Sequence, residues 1–173
     1  MWAAAASSSA TVLRNSRTDD ADLQRFDDCE HQRGLSPEGR QQAAALGLAL
    51  RQAHCDIAEV VSSPLCRALA TAELACGQAA TPDPALAYLP YMRRDRRALA
   101  REHLRDWLSR PVAAGRVRVV IADAANLMDL TGTYPAECAP QAFVATGPGT
   151  FEPAGSLPAP PWSAVTQARS AES

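Results

Sequence analysis

Short apolar clusters alternate along the chain with polar stretches marked by proline and glycine. Thr11-Val12-Leu13 is the first such cluster and reads as a strand. A polar stretch follows from Arg14 to Gly34, rich in Asp and Arg; connections that long tend to carry function. Ser36-Pro37 opens a helix, with Ser36 as N-cap and Pro37 at the first helical position. Ala43, Leu46, Gly47 and Leu50 continue it at helical spacing to about Ala53. The β-branched run Ile57 to Val61 predicts a second strand, stopped by Ser62-Ser63-Pro64. Pro64 starts a further helix through Leu74. A loop at Thr81-Pro82-Asp83-Pro84 precedes a helix over Arg93 to Ser109, with Leu99, Leu104, Trp107 and Leu108 turned inward.

Val117 to Ile121 is the strongest strand signal, and its nearly continuous apolar character suggests a central strand covered on both faces. Ala124 to Leu130 predicts a short helix. Phe143-Val144 and Thr150-Phe151 predict a hairpin across Gly147-Pro148-Gly149. Strands alternating with helices imply a three-layer α/β/α sandwich on a mostly parallel sheet. In such sheets ligands gather at the carboxyl ends of strands. Those ends are Leu13-Arg14-Asn15, Val61-Ser62-Ser63 and Ile121-Ala122-Asp123. Residues 1–10 read as a loose arm, 11–162 as one domain and 163–173 as a weakly ordered tail.

Composition narrows the chemistry. The 173 residues are 47% hydrophobic and 21% charged, with a net charge of -2. Neither nucleic acid nor an anionic membrane surface is an expected partner. No apolar run reaches the roughly 20 residues that span a bilayer, and a cytoplasmic protein is expected. All of the cationic residues are arginine. The absence of lysine removes Schiff-base chemistry and Walker-type phosphate binding. The five cysteines, Cys29, Cys55, Cys66, Cys76 and Cys138, have no metal-like spacing. Neither a metal nor a cofactor is expected.

Ser62-Ser63-Pro64-Leu65-Cys66-Arg67-Ala68, followed by Thr71-Ala72-Glu73, is similar to the SSP..RA..TAE signature of histidine phosphatases. Leu35 to Ala43 resembles the preceding LT..G..QA element. Asp28-Cys29-Glu30-His31-Gln32-Arg33 resembles a loop of one bacterial branch, and Ala124 to Gly132 resembles the segment after the second catalytic histidine. The resemblance implies a phosphoglycerate mutase-like fold. It also implies an Arg-His-Gly or Arg-His-Ala tripeptide after the first strand, and a second histidine after the late strand. Arg14-Asn15-Ser16 and Asp123 stand at those places, so the resemblance keeps Arg14 and Arg67 and loses both imidazoles.

An amide cannot replace imidazole as nucleophile, because its nitrogen lone pair is delocalised. It can still hydrogen-bond a ligand. A carboxylate beside a phosphate dianion is repulsive, by about 1 kcal/mol at about 4 Å in water and about 4 kcal/mol at a dielectric of about 20. Asp123 is therefore the candidate catalytic residue of a repurposed non-phosphatase enzyme, such as a lyase, cyclase, isomerase or hydrolase. It would act as acid or base on a small anionic or carbonyl-containing ligand, with Arg14, Asn15, Ser16 and Arg67 as binding residues. One alternative is a pseudophosphatase that binds an anion or a protein partner; another is a weak residual phosphatase. A homo-oligomer is left open. A leaving-group acid is sought among Asp83, Asp95, Tyr88 and Tyr91 without assignment.

His31, His54 and His103 match no catalytic position, although His31 lies in a loop able to fold over the pocket. Cys29 and Cys66 fall in motif segments that approach the pocket, and a bridge between them requires an oxidising compartment. Arg93, Arg94, Arg96, Arg97 and Arg101 form a basic helix face, read as solvated.

Overall fold

The computed structural model describes residues 2–7, 26–87, 94–135 and 139–156. Six strands form one sheet: β1 (Trp2–Ser7), β2 (Asp56–Ser62), β3 (Thr81–Pro82), β4 (Arg116–Ala122), β5 (Gln141–Gly147) and β6 (Thr150–Ser156). Four helices accompany them: α1 (Pro37–Gln52), α2 (Cys66–Cys76), α3 (Arg94–Ser109) and α4 (Ala124–Thr131). The sheet order is β3-β2-β4-β1-β5-β6. β1, β2, β3 and β4 run parallel, while β5 and β6 add an antiparallel hairpin at one edge. Among the described residues no helix is long and apolar enough to cross a membrane.

The predicted late strand is indeed central: β4 lies between β2 and β1. Successive side chains on a strand face opposite ways, and this divides the core. Val60, Val119 and Ile121 pack with Leu46, Leu65, Ala68, Ala72 and Ala75 beneath α1 and α2. Val61 and Val120 pack with Leu86, Leu104, Leu108, Leu127 and Phe143 beneath α3 and α4.

Two expectations need correction. Trp2–Ser7 is no loose arm: it is strand β1, paired with β4 from Trp2–Val117 to Ser7–Ala122 and with β5 on its other side. A run of alanines carries little strand propensity by itself. Here the backbone pairing on two sides sets the conformation, a tertiary effect that sequence pattern does not report. Thr11-Val12-Leu13, expected as the first strand, lies outside the described residues, as do 157–173. Leu99 is 48% exposed, not inward. The buried stripe of α3 is Ala100, Leu104 and Leu108, four residues apart, and Leu99 falls off that line.

Local signals fix the other boundaries. Ser36 Oγ accepts the Gly39 N–H at 3.0 Å, the expected cap of α1. Leu65 is extended, so α2 begins at Cys66 and not at Pro64. Gly77 and Gly132 end α2 and α4 in the left-handed region.

The α1–α2 contact depends on Gly47. A Cβ there would lie 2.7 Å from the Ala75 carbonyl oxygen and 2.9 Å from that of Leu74. Gly47→Ala should therefore destabilise the protein by about 1–3 kcal/mol, because overpacking against backbone outweighs the better helix propensity of alanine. Chemical denaturation of the two proteins measures this.

Candidate functional site

The carboxyl ends of β2, β3 and β4 meet on one edge of the sheet. Ser63 N–H donates to the Ile121 carbonyl at 2.8 Å, and Asp83 N–H donates to the Ser62 carbonyl at 2.8 Å. These bonds hold the three strand tips in register. Helix α2 leaves from the first tip and α4 from the third, so Arg67 and Asp123 come together although they are 56 residues apart in sequence.

Asp123 is the N-cap of α4, yet its carboxylate makes no capping bond. It turns to Arg67 instead. The Nε and Nη2 of Arg67 donate to Asp123 Oδ1 at 3.1 and 2.9 Å. The Arg67 side chain is 5% exposed and that of Asp123 is 15% exposed. Arginine cannot shed its charge at any ordinary pH, so a guanidinium this deep needs an acidic partner. Of the sequence-predicted site residues, the structure brings Arg67 and Asp123 into direct contact. Arg14, Asn15 and Ser16 lie outside the described residues.

The loop before α1 is strapped to the start of α2. Cys29, in a 3-10 turn over Cys29–His31, is disulfide-bonded to Cys66, the residue before Arg67, with Cα atoms 5.7 Å apart. The loop bridge closed by 37 residues contributes about 4 kcal/mol in the chain-entropy picture. Gln32 adds a second tie that sequence reading missed: its Oε1 accepts the Cys66 N–H at 2.9 Å and its Nε2 donates to the Phe26 carbonyl at 3.1 Å. The motif position of Gln32 was visible; its 34-residue reach to α2 was not.

The described side-chain contacts of His31 and His103 are with Asp28 and Asp83. His31 is 77% exposed, with Nδ1 2.8 Å from Asp28 Oδ1. His54 is exposed at the end of α1 with a φ of 51°. His103 is on α3, 3.4 Å from Asp83 Oδ2.

Asp83, one of the acids considered for a leaving group, is engaged elsewhere. Its Oδ1 caps the 3-10 turn Pro84–Leu86 by accepting the Ala85 N–H at 2.9 Å, and its Oδ2 accepts the Trp107 indole N–H at 2.7 Å. Partial burial works to raise its pKa. The Trp107 and Ala85 hydrogen bonds, with the hydrogen bond and charge of His103, outweigh that and leave it below the ordinary value. A depressed pKa unfits it as a proton donor near neutral pH. Asp95 is exposed in the first turn of α3, and Tyr88 and Tyr91 lie outside the described residues.

Asn126 was not singled out by sequence reading. It is 2% exposed in the first turn of α4, and among the described residues neither its Nδ2 nor its Oδ1 has a hydrogen-bond partner. Burial without a partner is costly for an amide; nothing in sequence spacing signals it.

Removing Asp123 while Arg67 stays buried should be expensive: Asp123→Ala should lower stability by about 3 kcal/mol, measurable by urea denaturation. Asp83 makes a pH-dependent contribution. Its folded pKa is depressed, so the contribution is present above the unfolded value of about 3.9 and is lost as pH falls through the lower folded value. Asp83→Asn should therefore be less stable than the parent at pH 6, by about 1–2 kcal/mol, and the gap should narrow below about pH 4. Thermal melts across that range test it.

Comparison with known proteins agrees with the fold. Curated sequences contain no significant match. The chain superposes on Bacillus stearothermophilus YhfR with a TM-score of 0.62 at 18% identity, over 88% of this chain and 95% of that one. The protein histidine phosphatase SixA, solved with tungstate, gives 0.65 at 16% identity, over 91% and 96%. A mycobacterial glucosyl-3-phosphoglycerate phosphatase, solved with VO3, gives 0.59 at 16% identity, over 83% and 92%. Such identities speak for the fold alone. The family model of the histidine phosphatase superfamily, branch 1, matches residues 13–113, more than half of the sequence, and the chain belongs to that superfamily.

Proposed function

We propose that this member of the superfamily has left phosphohistidine chemistry and serves as a binding protein on a phosphatase fold. The observation that supports this reading most is the Arg67–Asp123 ion pair. A phosphoryl group at the strand tips would need the Arg67 guanidinium, and Asp123 already engages two of its nitrogens. The neighbours solved with tungstate and VO3 hold oxyanions; in this chain a built-in carboxylate would take that role. Asn15, which the resemblance puts in the nucleophile's place, has no lone pair fit to carry phosphorus.

The sequence by itself leans toward an acid–base enzyme with Asp123 as the working group, assisted by Arg14, Asn15, Ser16 and Arg67. Two features favour keeping that as the second reading: Asp123 lies at a strand tip, and 15% of its side chain is exposed. Against it, Asp123 Oδ1 already accepts two guanidinium hydrogens, and the neighbouring positive charge disfavours protonation of the carboxylate. The Cys29–Cys66 bridge bears on location, since such bridges persist in oxidising compartments and are rare in a reducing cytoplasm.

The test has two arms. Purified protein should neither hydrolyse p-nitrophenyl phosphate above background nor accumulate an acid-labile phosphoryl adduct, and Asp123→Asn should bind tungstate at least tenfold tighter than the parent. Steady hydrolysis by the parent, lost in Asn15→Ala, would overturn the reading in favour of a residual phosphatase.

A further inference from the structure

The Cys29–Cys66 bridge joins two cysteines in unlike surroundings. Cys29 is exposed, in a 3-10 turn that buries none of its residues. Cys66 is half-buried and is the first residue of α2. Leu65, at the N-cap, makes no side-chain capping bond. The positive end of the dipole of an 11-residue helix therefore acts on the Cys66 sulfur. That position lowers the pKa of a cysteine thiol, and a thiol of lower pKa leaves a disulfide faster. The accessible sulfur is at one end of the bridge and the better leaving sulfur at the other.

We propose that this bridge is a thiol-exchange site: a small thiol takes the Cys29 sulfur and releases Cys66 as a thiolate, which unlatches the loop over residues 26–34 from the first turn of α2. The incoming thiolate attacks Cys29 Sγ, and a new S–S bond forms there. The Cys29–Cys66 bond breaks, and its electron pair leaves on Cys66 Sγ. A dithiol completes the reduction. Its second sulfur, having lost its proton to solvent, attacks the first, closes a cyclic disulfide and expels Cys29 as a thiolate that solvent protonates. The dithiol gives up two electrons and the protein gains them. Opening stays local, because β4 takes its backbone bonds from β1 and β2. Gln32 is the device that makes it reversible. It accepts the Cys66 N–H at 2.9 Å and donates to the Phe26 carbonyl at 3.1 Å, and neither bond needs the bridge. Phe26 also packs against the core beneath α1 and α2. Both contacts keep Cys29 near Cys66 after opening and favour reclosure. The latch does not depend on what the strand tips bind.

Air-oxidised full-length protein is titrated with dithiothreitol, alkylated with iodoacetamide and mapped by peptide mass. Cys29 and Cys66 should become labelled together, at reductant levels that leave the far-UV circular dichroism unchanged. Cys76 is the internal contrast: burial pushes its thiol up to about 11, so it should label more slowly than either. With glutathione in place of the dithiol, the mixed disulfide should be found on Cys29. On reduction, hydrogen exchange should quicken about tenfold or more over residues 26–34 and stay unchanged in β4. The double variant Cys29→Ser with Cys66→Ser should exchange like the reduced parent and ignore dithiothreitol. Gln32→Ala, which keeps the bridge, should move the reduction midpoint several-fold toward lower dithiothreitol. The proposal is overturned by cysteines that do not pair on air oxidation, by a bridge that opens only as the circular dichroism is lost, by a glutathione adduct on Cys66, or by exchange over residues 26–34 that is indifferent to reduction.

Discussion

Strand β4 is the part on which everything else in this protein leans. It is paired on both edges, by β2 and by β1, and covered on both faces. Val119 and Ile121 supply one half of the core and Val120 the other, so a single strand joins the α1–α2 layer to the α3–α4 layer. Its carboxyl end then delivers Asp123 to Arg67. Position in the sheet and position in the site are the same structural fact, since a strand buried on all sides has no freedom to aim its last residue elsewhere.

Two buried arginines frame that strand. Arg67 meets Asp123 at its carboxyl end. Arg118, within β4, donates through Nε to Glu59 Oε1 at 2.6 Å and through Nη1 to the carbonyls of Trp107 and Arg110 at 3.0 and 2.8 Å. A buried lysine could escape by losing its proton, but arginine cannot. A chain with arginine and no lysine must therefore partner each buried guanidinium, and both partnerships tie distant segments together. Arg118 secures the end of α3 to the sheet, which is a structural duty. Arg67 does the same for α2 and α4, at the strand tips. The two readings of Arg67, structural clamp and ligand grip, compete for the same nitrogen atoms.

The strap from Cys29 and Gln32 to Cys66 extends this economy of ties. It fixes a loop that would otherwise be a long irregular connection and holds it against the first turn of α2, beside Arg67. The strand tips, the start of α2 and the preceding loop are thus held as one unit.

The sequence alone determined the alternation of strands and helices, the cap at Ser36, the centrality of β4, and the meeting of Arg67 with Asp123. The first three follow from local chemistry and pattern; the last follows from the resemblance to the histidine phosphatases. It did not reveal β1 at Trp2–Ser7, because alanines carry no period and only pairing on two sides makes them a strand. It did not reveal the outward turn of Leu99, the locking of Asp83 by Trp107, or the buried amide of Asn126. Those were decided by tertiary structure: each depends on which side chain of a distant segment arrives at a given distance, and spacing along one chain holds no record of that.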